Sequence, residues 1–124
     1  VGRTNKCVGK LGEGIAERFL ISRGYKVFCR NFSTPFGEID LVAEKEGCTV
    51  FFEVKTRISE RFGSPLCSIT DDKKKHIIKN CRFYLKKRGL YGKPCRIDAI
   101  AIHLDKCRNL KILKHVKNAI MVEG

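Results

Sequence analysis

The chain has 124 residues, 43% hydrophobic and 31% charged, which suits a single globular domain over residues 1–124 with one substantial core. Its 26 Lys+Arg against 13 Asp+Glu leave a formal charge of +13 and a pI near 9.7, a balance that favours a polyanionic partner, nucleic acid before membrane. No run of about 18 apolar residues exists, so no membrane span is expected.

The charge is unevenly placed. Residues 1–62 carry eleven basic and eight acidic side chains, whereas residues 63–124 carry fifteen and five. A surface charged only for solubility has no need of that split. The seven cysteines include no C-x-x-C pair, and their number is odd. Both facts argue against a disulfide framework or a structural zinc site and for reduced thiols. Val1–Lys6 lacks the apolar core of a signal peptide, so a cytoplasmic location is the expectation.

In chain order, the spacing of Val8, Leu11, Ile15, Ala16, Phe19 and Leu20 predicts a helix over Val8 to Arg23, stopped by Gly24. Glu13 lies at the margin of its apolar arc. It either looks along the buried face or is a solvated acid that favours the helix dipole, and periodicity leaves both open. Tyr25 to Cys29 reads as a strand and Asn31 to Gly37 as a loop around Pro35 and Gly37. A second strand covers Glu38 to Ala43. A third runs from Cys48 to Thr56, with an apolar centre, Val50 to Val54, suited to the middle of a sheet.

These two strands predict an antiparallel hairpin. With Glu46-Gly47 as a two-residue loop, residues i and 93 − i are opposite, and Asp40 faces Glu53 with Cβ atoms about 4.5–5.5 Å apart. A loop at Lys45-Glu46 would instead set Glu38 against Glu53. Either register places Asp40, Glu53 and Lys55 on one face of the sheet.

A second helix is predicted over Asp71 to Lys87. Ser68 or Thr70 would cap it, with Asp71 and Asp72 in the first turn and Ile77, Ile78, Cys81, Tyr84 and Leu85 as the buried stripe. Ile97 to Leu104 reads as a fourth strand and Leu110 to Leu113 as a short fifth strand or edge. The order αβββαβ, with that possible extra strand, describes an α/β fold: a mixed sheet flanked by helices.

Carboxylates in apolar strands are costly unless something pairs with them. Asp40 and Glu53 supply the oxygen ligands that Mg²⁺ prefers, and Lys55, two residues on, emerges on the face of Glu53, where it can hold an attacking water. Glu13 could complete the ligand set from the neighbouring helix. The plainer alternatives are a surface acid at Asp40 and an exposed ion pair between Glu53 and Lys55, worth little. Arg57, Lys73, Lys74, Lys75, Lys79 and Arg82 are the candidate phosphate contacts.

Several segments together resemble a known family. Gly12-Glu13, Gly24-Tyr25, Arg30-Asn31-Phe32, Gly37-Glu38-Ile39-Asp40-Leu41, Phe52-Glu53-Val54-Lys55-Thr56-Arg57, Lys73, Tyr84-Leu85, Arg96-Ile97-Asp98 and His115-Val116-Lys117-Asn118-Ala119 occur in the order of the bacterial YraN-like family. That family is similar in turn to the restriction-endonuclease-like superfamily with the PD-(D/E)-x-K motif, which includes Holliday-junction resolvases. The resemblance implies an αβββαβ core. It also implies that Asp40 is the first motif acid, Glu53 the second, Lys55 the lysine, Glu13 the upstream helical acid and Lys73 a further basic site residue. Ile39 stands where the motif has proline.

The expectation is therefore a DNA endonuclease dependent on Mg²⁺ or Mn²⁺. Glu13, Asp40 and Glu53 would be its metal ligands, and branched or single-stranded DNA its candidate substrates. A homodimer is open, because resolvase-like enzymes act on two symmetric strands. The alternatives are a non-catalytic nucleic-acid-binding protein of the same fold, and an interaction protein whose basic face docks an acidic partner or RNA.

Overall fold

The structure, a computed structural model, describes residues 2–58 and 70–121, and the side chains of its first helix from Cys7 onward. Its elements are α1 (Gly2–Ser22), β1 (Lys26–Thr34), β2 (Gly37–Lys45), β3 (Cys48–Ile58), α2 (Asp71–Lys87), β4 (Cys95–Leu104) and β5 (Leu110–Ile120). The strands form one sheet in the order β1-β2-β3-β4-β5. Only β3 and β4 pair in parallel, and the chain passes between them through α2. This is the mixed α/β sheet expected from the patterning.

The β2–β3 hairpin has the expected register. Glu46 and Gly47 both adopt positive φ, 52° and 79°, as a two-residue type I′ turn requires. The ladder then runs from Lys45↔Cys48 to Leu41↔Phe52. Helix α2 also has the expected bounds, and Thr70 caps it by accepting the Lys73 N–H at 3.3 Å. Ser68, the other candidate cap, lies outside the described residues.

Several boundaries differ from expectation, and β2 and β3 each run about two residues longer, to Lys45 and Ile58. Helix α1 begins at Gly2 rather than Val8, because the polar run Arg3-Thr4-Asn5-Lys6 carries no apolar period to signal a helix. Strand β1 continues to Thr34, leaving only Pro35-Phe36 as the loop. Its alternation is hidden by a bulge between Val27 and Cys29 and by the left-handed Asn31, φ 54°. Strand β4 begins at Cys95. Strand β5 runs to Ile120 instead of Leu113. It is an edge strand, and exposed charges such as Lys111, Lys114 and Lys117 break its apolar pattern in the way edges commonly avoid pairing with other chains.

The sheet carries a core on each face. Helix α1 lays Ala16 and Leu20 against Leu41, Val50, Phe52, Ile100 and Ile102. Helix α2 lays Cys81, Tyr84 and Leu85 against Ile39, Val42, Phe51 and Ile97. The cluster memberships expose a change of phase in β2. Ile39 belongs to the α2 side, yet Leu41, two residues on, belongs to the α1 side. Residues two apart in a regular strand share a face, so the strand turns over at Asp40. Opposite it, between the pairs Arg30↔Leu41 and Phe32↔Ile39, lies the left-handed Asn31, a conformation Asn tolerates better than most residues.

Candidate functional site

Beyond the pair Leu41↔Phe52 the ladder of β2 and β3 ends. The Asp40 side chain takes over there, and its Oδ2 accepts the Val54 N–H at 2.8 Å. A backbone donor at the end of the ladder is thus satisfied by a carboxylate instead of a strand. Because β2 turns over at this point, Asp40 joins the acids near α1. Carboxylate oxygens of Glu13, Glu38 and Asp40 all lie within 4.8 Å of one another.

Glu53 comes to the site from the other layer. In β3 the even positions pack toward α1, as Phe52 does in its core and Val54 beside it. Glu53 follows Phe51 to the α2 side and lines a small cavity with Ile77 and Cys81 of that helix. The single shared face expected for Asp40, Glu53 and Lys55 is therefore replaced by a seam. The register is as expected, but the phase change gives Asp40 neighbours from both layers.

Glycine makes the α1 contribution possible. A Cβ on Gly12 would lie 1.7 Å from the Thr56 hydroxyl oxygen, so only glycine lets α1 approach β3 this closely. That approach delivers Glu13 to the seam. The Glu13 Oε1 is buried and has no hydrogen-bond partner among the described residues.

Electrostatics record the crowding. The Asp40 pKa is pushed up to about 7 by burial first and by the Glu53 charge next, with Glu13 and Glu38 adding to the rise and the Val54 N–H opposing it. The Glu53 pKa is also raised, chiefly by burial, while Lys55 and Lys73 pull it back and Glu13 and Glu38 push it up. Lys55 and Lys73 are thus the cations whose charge offsets that of Glu53. An open groove of about 450 Å³, lined by Gly9, Lys10, Glu13, Asn31 and Glu38, leads to the acids from the α1 side.

The structure brings Glu13, Asp40, Glu53 and Lys55 into one neighbourhood and places Lys73 at its edge. Lys75, Lys79 and Arg82 are exposed along α2, Lys74 is half-buried there, and Arg57 is exposed near the end of β3. Glu38 is the residue sequence reasoning passed over as a site acid, treating it only as an alternative partner in register. Its signal was its place two residues before Asp40. Six cysteines, at 7, 29, 48, 81, 95 and 107, are free thiols, while Cys67 lies outside the described residues. Among those residues no helix is long and apolar enough to cross a membrane.

A family model described as "Uncharacterised protein family UPF0102" matches residues 12–102. The chain belongs to this family. A UPF0102 protein of Desulfosudis oleivorans is 45% identical over 94 residues, 76% of either chain. One from Moorella thermoacetica is 37% identical over 116 residues, 94% of this chain and 97% of its own. Another, from Thermus thermophilus, is 44% identical over 95 residues, 77% of this chain and 82% of its own. The family span opens at Gly12 and takes in Glu13, Glu38, Asp40, Glu53 and Lys55. The sheet order and flanking helices are consistent with the restriction-endonuclease-like core that the YraN-like resemblance implies.

Proposed function

We propose that this UPF0102 protein is a metal-dependent DNA endonuclease. The observation that carries the reading is the convergence of Glu13, Glu38 and Asp40 within 4.8 Å, with Glu53 and Lys55 beside them. Such a cluster is repulsive unless a cation or protons neutralise it. The buried Glu13 oxygen without a partner and the all-oxygen donor set suit a hard divalent ion, Mg²⁺ or Mn²⁺. Glu13, Glu38, Asp40 and Glu53 are the residues that would hold it. When bound, the ion would polarise the scissile phosphate and offset charge on the leaving oxygen.

The remaining work falls to the chain itself. Lys55, held near Glu53, orients the attacking water and steadies negative charge as it builds on the phosphate. Lys73 supports the same side of the site from the start of α2. Lys75, Lys79 and Arg82 continue the positive surface along that helix and bind backbone phosphates without reading sequence.

The test is cleavage of branched, single-stranded and duplex DNA with Mg²⁺ or Mn²⁺, comparing the native chain with Asp40→Ala and Glu53→Ala. Metal-dependent cutting that both substitutions abolish is expected. Cutting that survives them would refute the mechanism. One observation favours a second reading, a nucleic-acid-binding protein without catalysis: the basic surface of α2 does not depend on the acids. That reading predicts DNA binding with no metal uptake by calorimetry.

A further inference from the structure

The basic face of α2 is interleaved with aromatic rings. Lys79 Nζ lies 5.7 Å from the centroid of Phe36, at the tip of the β1–β2 hairpin. About two helical turns on, Lys87 Nζ lies 6.0 Å from Phe32 and 5.8 Å from Phe83. Lys86 Nζ lies 5.6 Å from Tyr91, just past the helix end. The two end rings are the open ones, Phe36 at 48% and Tyr91 at 61% exposure.

Phe36 is not a loose loop residue. Its N–H donates to the Thr34 hydroxyl at 3.0 Å, and that hydroxyl donates to the side-chain oxygen of Asn80. Asn80 is buried in α2. Gly37, φ +143°, backs onto the same amide, with its Nδ2 only 3.3 Å from where a Cβ would be. The hairpin tip is thereby pinned to α2, and an apolar ring is held in water two residues before Glu38. Fixing the backbone that presents an exposed ring has no evident value for the core.

We propose that Phe36 and Tyr91, with the cations between them, form a track for unpaired bases, so that the substrate is DNA with a single-stranded arm. The proposal rests on the nuclease reading of the acidic seam, whose substrate it names. Rings interleaved with cations are the chemistry of single-strand binding: bases stack on the rings while lysines follow the phosphates. Lys79 and Lys86 are seven residues apart, about 10 Å along the helix. That distance matches roughly three stacked nucleotides at 3.4 Å per step. Duplex DNA has its bases paired inside and offers the rings nothing to stack on.

The test is binding of a labelled 12-nucleotide oligo(dT), and of a duplex of equal length, in EDTA, which separates it from any cleavage. Phe36→Ala and Tyr91→Ala should each weaken single-strand binding roughly 5- to 100-fold and duplex binding less than about 2-fold. Neither should change the salt slope, which counts phosphate contacts, and Phe36→Trp should restore affinity. Equal losses on both DNAs, or no loss on oligo(dT), would overturn the track. If the track holds in EDTA while cleavage is absent with metal, the nuclease reading alone fails. If cleavage is present while ring substitutions spare oligo(dT) binding, the track alone fails.

Discussion

The Asp40 carboxylate accepts the Val54 N–H at 2.8 Å, one position beyond the last pair of the β2–β3 ladder, and the same carboxyl has a pKa pushed up to about 7. In the unfolded chain this group titrates near 3.8. Between those two values the folded state holds a proton that the unfolded state has released. The resulting stability is full below about pH 4 and is lost as pH rises through about 7. Without metal, the protein should therefore unfold more easily at pH 8 than at pH 5, by about 2–3 kcal/mol from this group. The raised Glu53 pKa acts in the same direction. Asp40→Asn should flatten most of that slope in denaturant titrations in EDTA; a variant as pH-sensitive as the native chain would contradict this account.

A divalent ion should reverse the penalty. Binding requires the acids to be ionised, so it releases protons and strengthens as pH rises. At a Mg²⁺ or Mn²⁺ concentration 100 times the dissociation constant, stabilisation of about 2.7 kcal/mol is expected at pH 8, and less at pH 6. Glu13→Gln should remove much of it, because it replaces a buried oxygen that has no partner among the described residues. Calorimetry showing native metal affinity in Glu13→Gln would exclude Glu13 from the ligand set.

Much of the frame was legible in the sequence because it rests on local rules. Glu46-Gly47 set the hairpin register, and Thr70 with the apolar stripe of α2 set that helix. The assembly of the site was less legible. Alternation alone places Asp40, Glu53 and Lys55 on one face, but a left-handed Asn31 across the ladder accompanies a reversal of β2, and no period in β2 announces it. Glu38 enters the cluster through the same reversal. Asn80 sits in α2 as a buried polar residue because its partner, Thr34, is 46 positions away, a distance no local pattern spans.

Gly12→Ala tests whether the close approach of α1 builds the site. The new methyl would collide with the Thr56 hydroxyl, at 1.7 Å, and with Thr56 Cβ, at 2.8 Å, so α1 must lift from β3. Overpacking of this kind costs about 1–3 kcal/mol. Glu13 is the next residue, so metal affinity should fall further than stability alone would explain. Thr56→Ala in the same chain removes the nearer clash but keeps Cβ, and should restore part of both losses. Unchanged metal binding in Gly12→Ala would show that Glu13 reaches the seam without this contact.

Asp98 tests the part of the molecule that supports the site without belonging to it. Its side chain is wholly buried and accepts from Arg96 Nε at 2.9 Å and Arg96 Nη2 at 3.0 Å, from His115 Nε2 at 2.8 Å and from the Asn118 N–H at 3.0 Å. Arg96 Nη2 also donates to the Tyr25 hydroxyl at 2.8 Å, so the carboxylate and its arginine together join the turn between α1 and β1, β4 and the edge strand β5. Asp98→Ala strands several donors at once, and removing one partner of a buried ionic network typically costs 3–5 kcal/mol. Tyr25→Phe loses a single bond and should cost about 1 kcal/mol. Denaturant unfolding should rank the variants in that order. Metal affinity of the folded Asp98→Ala protein should stay near native, because the hydrogen bonds and ion pairs of this network run among Asp98, Arg96, Tyr25, His115 and Asn118 and not to Glu13, Glu38 or Asp40. A selective loss of metal binding in Asp98→Ala, at a cost in stability no greater than that of Tyr25→Phe, would instead make this network part of the site.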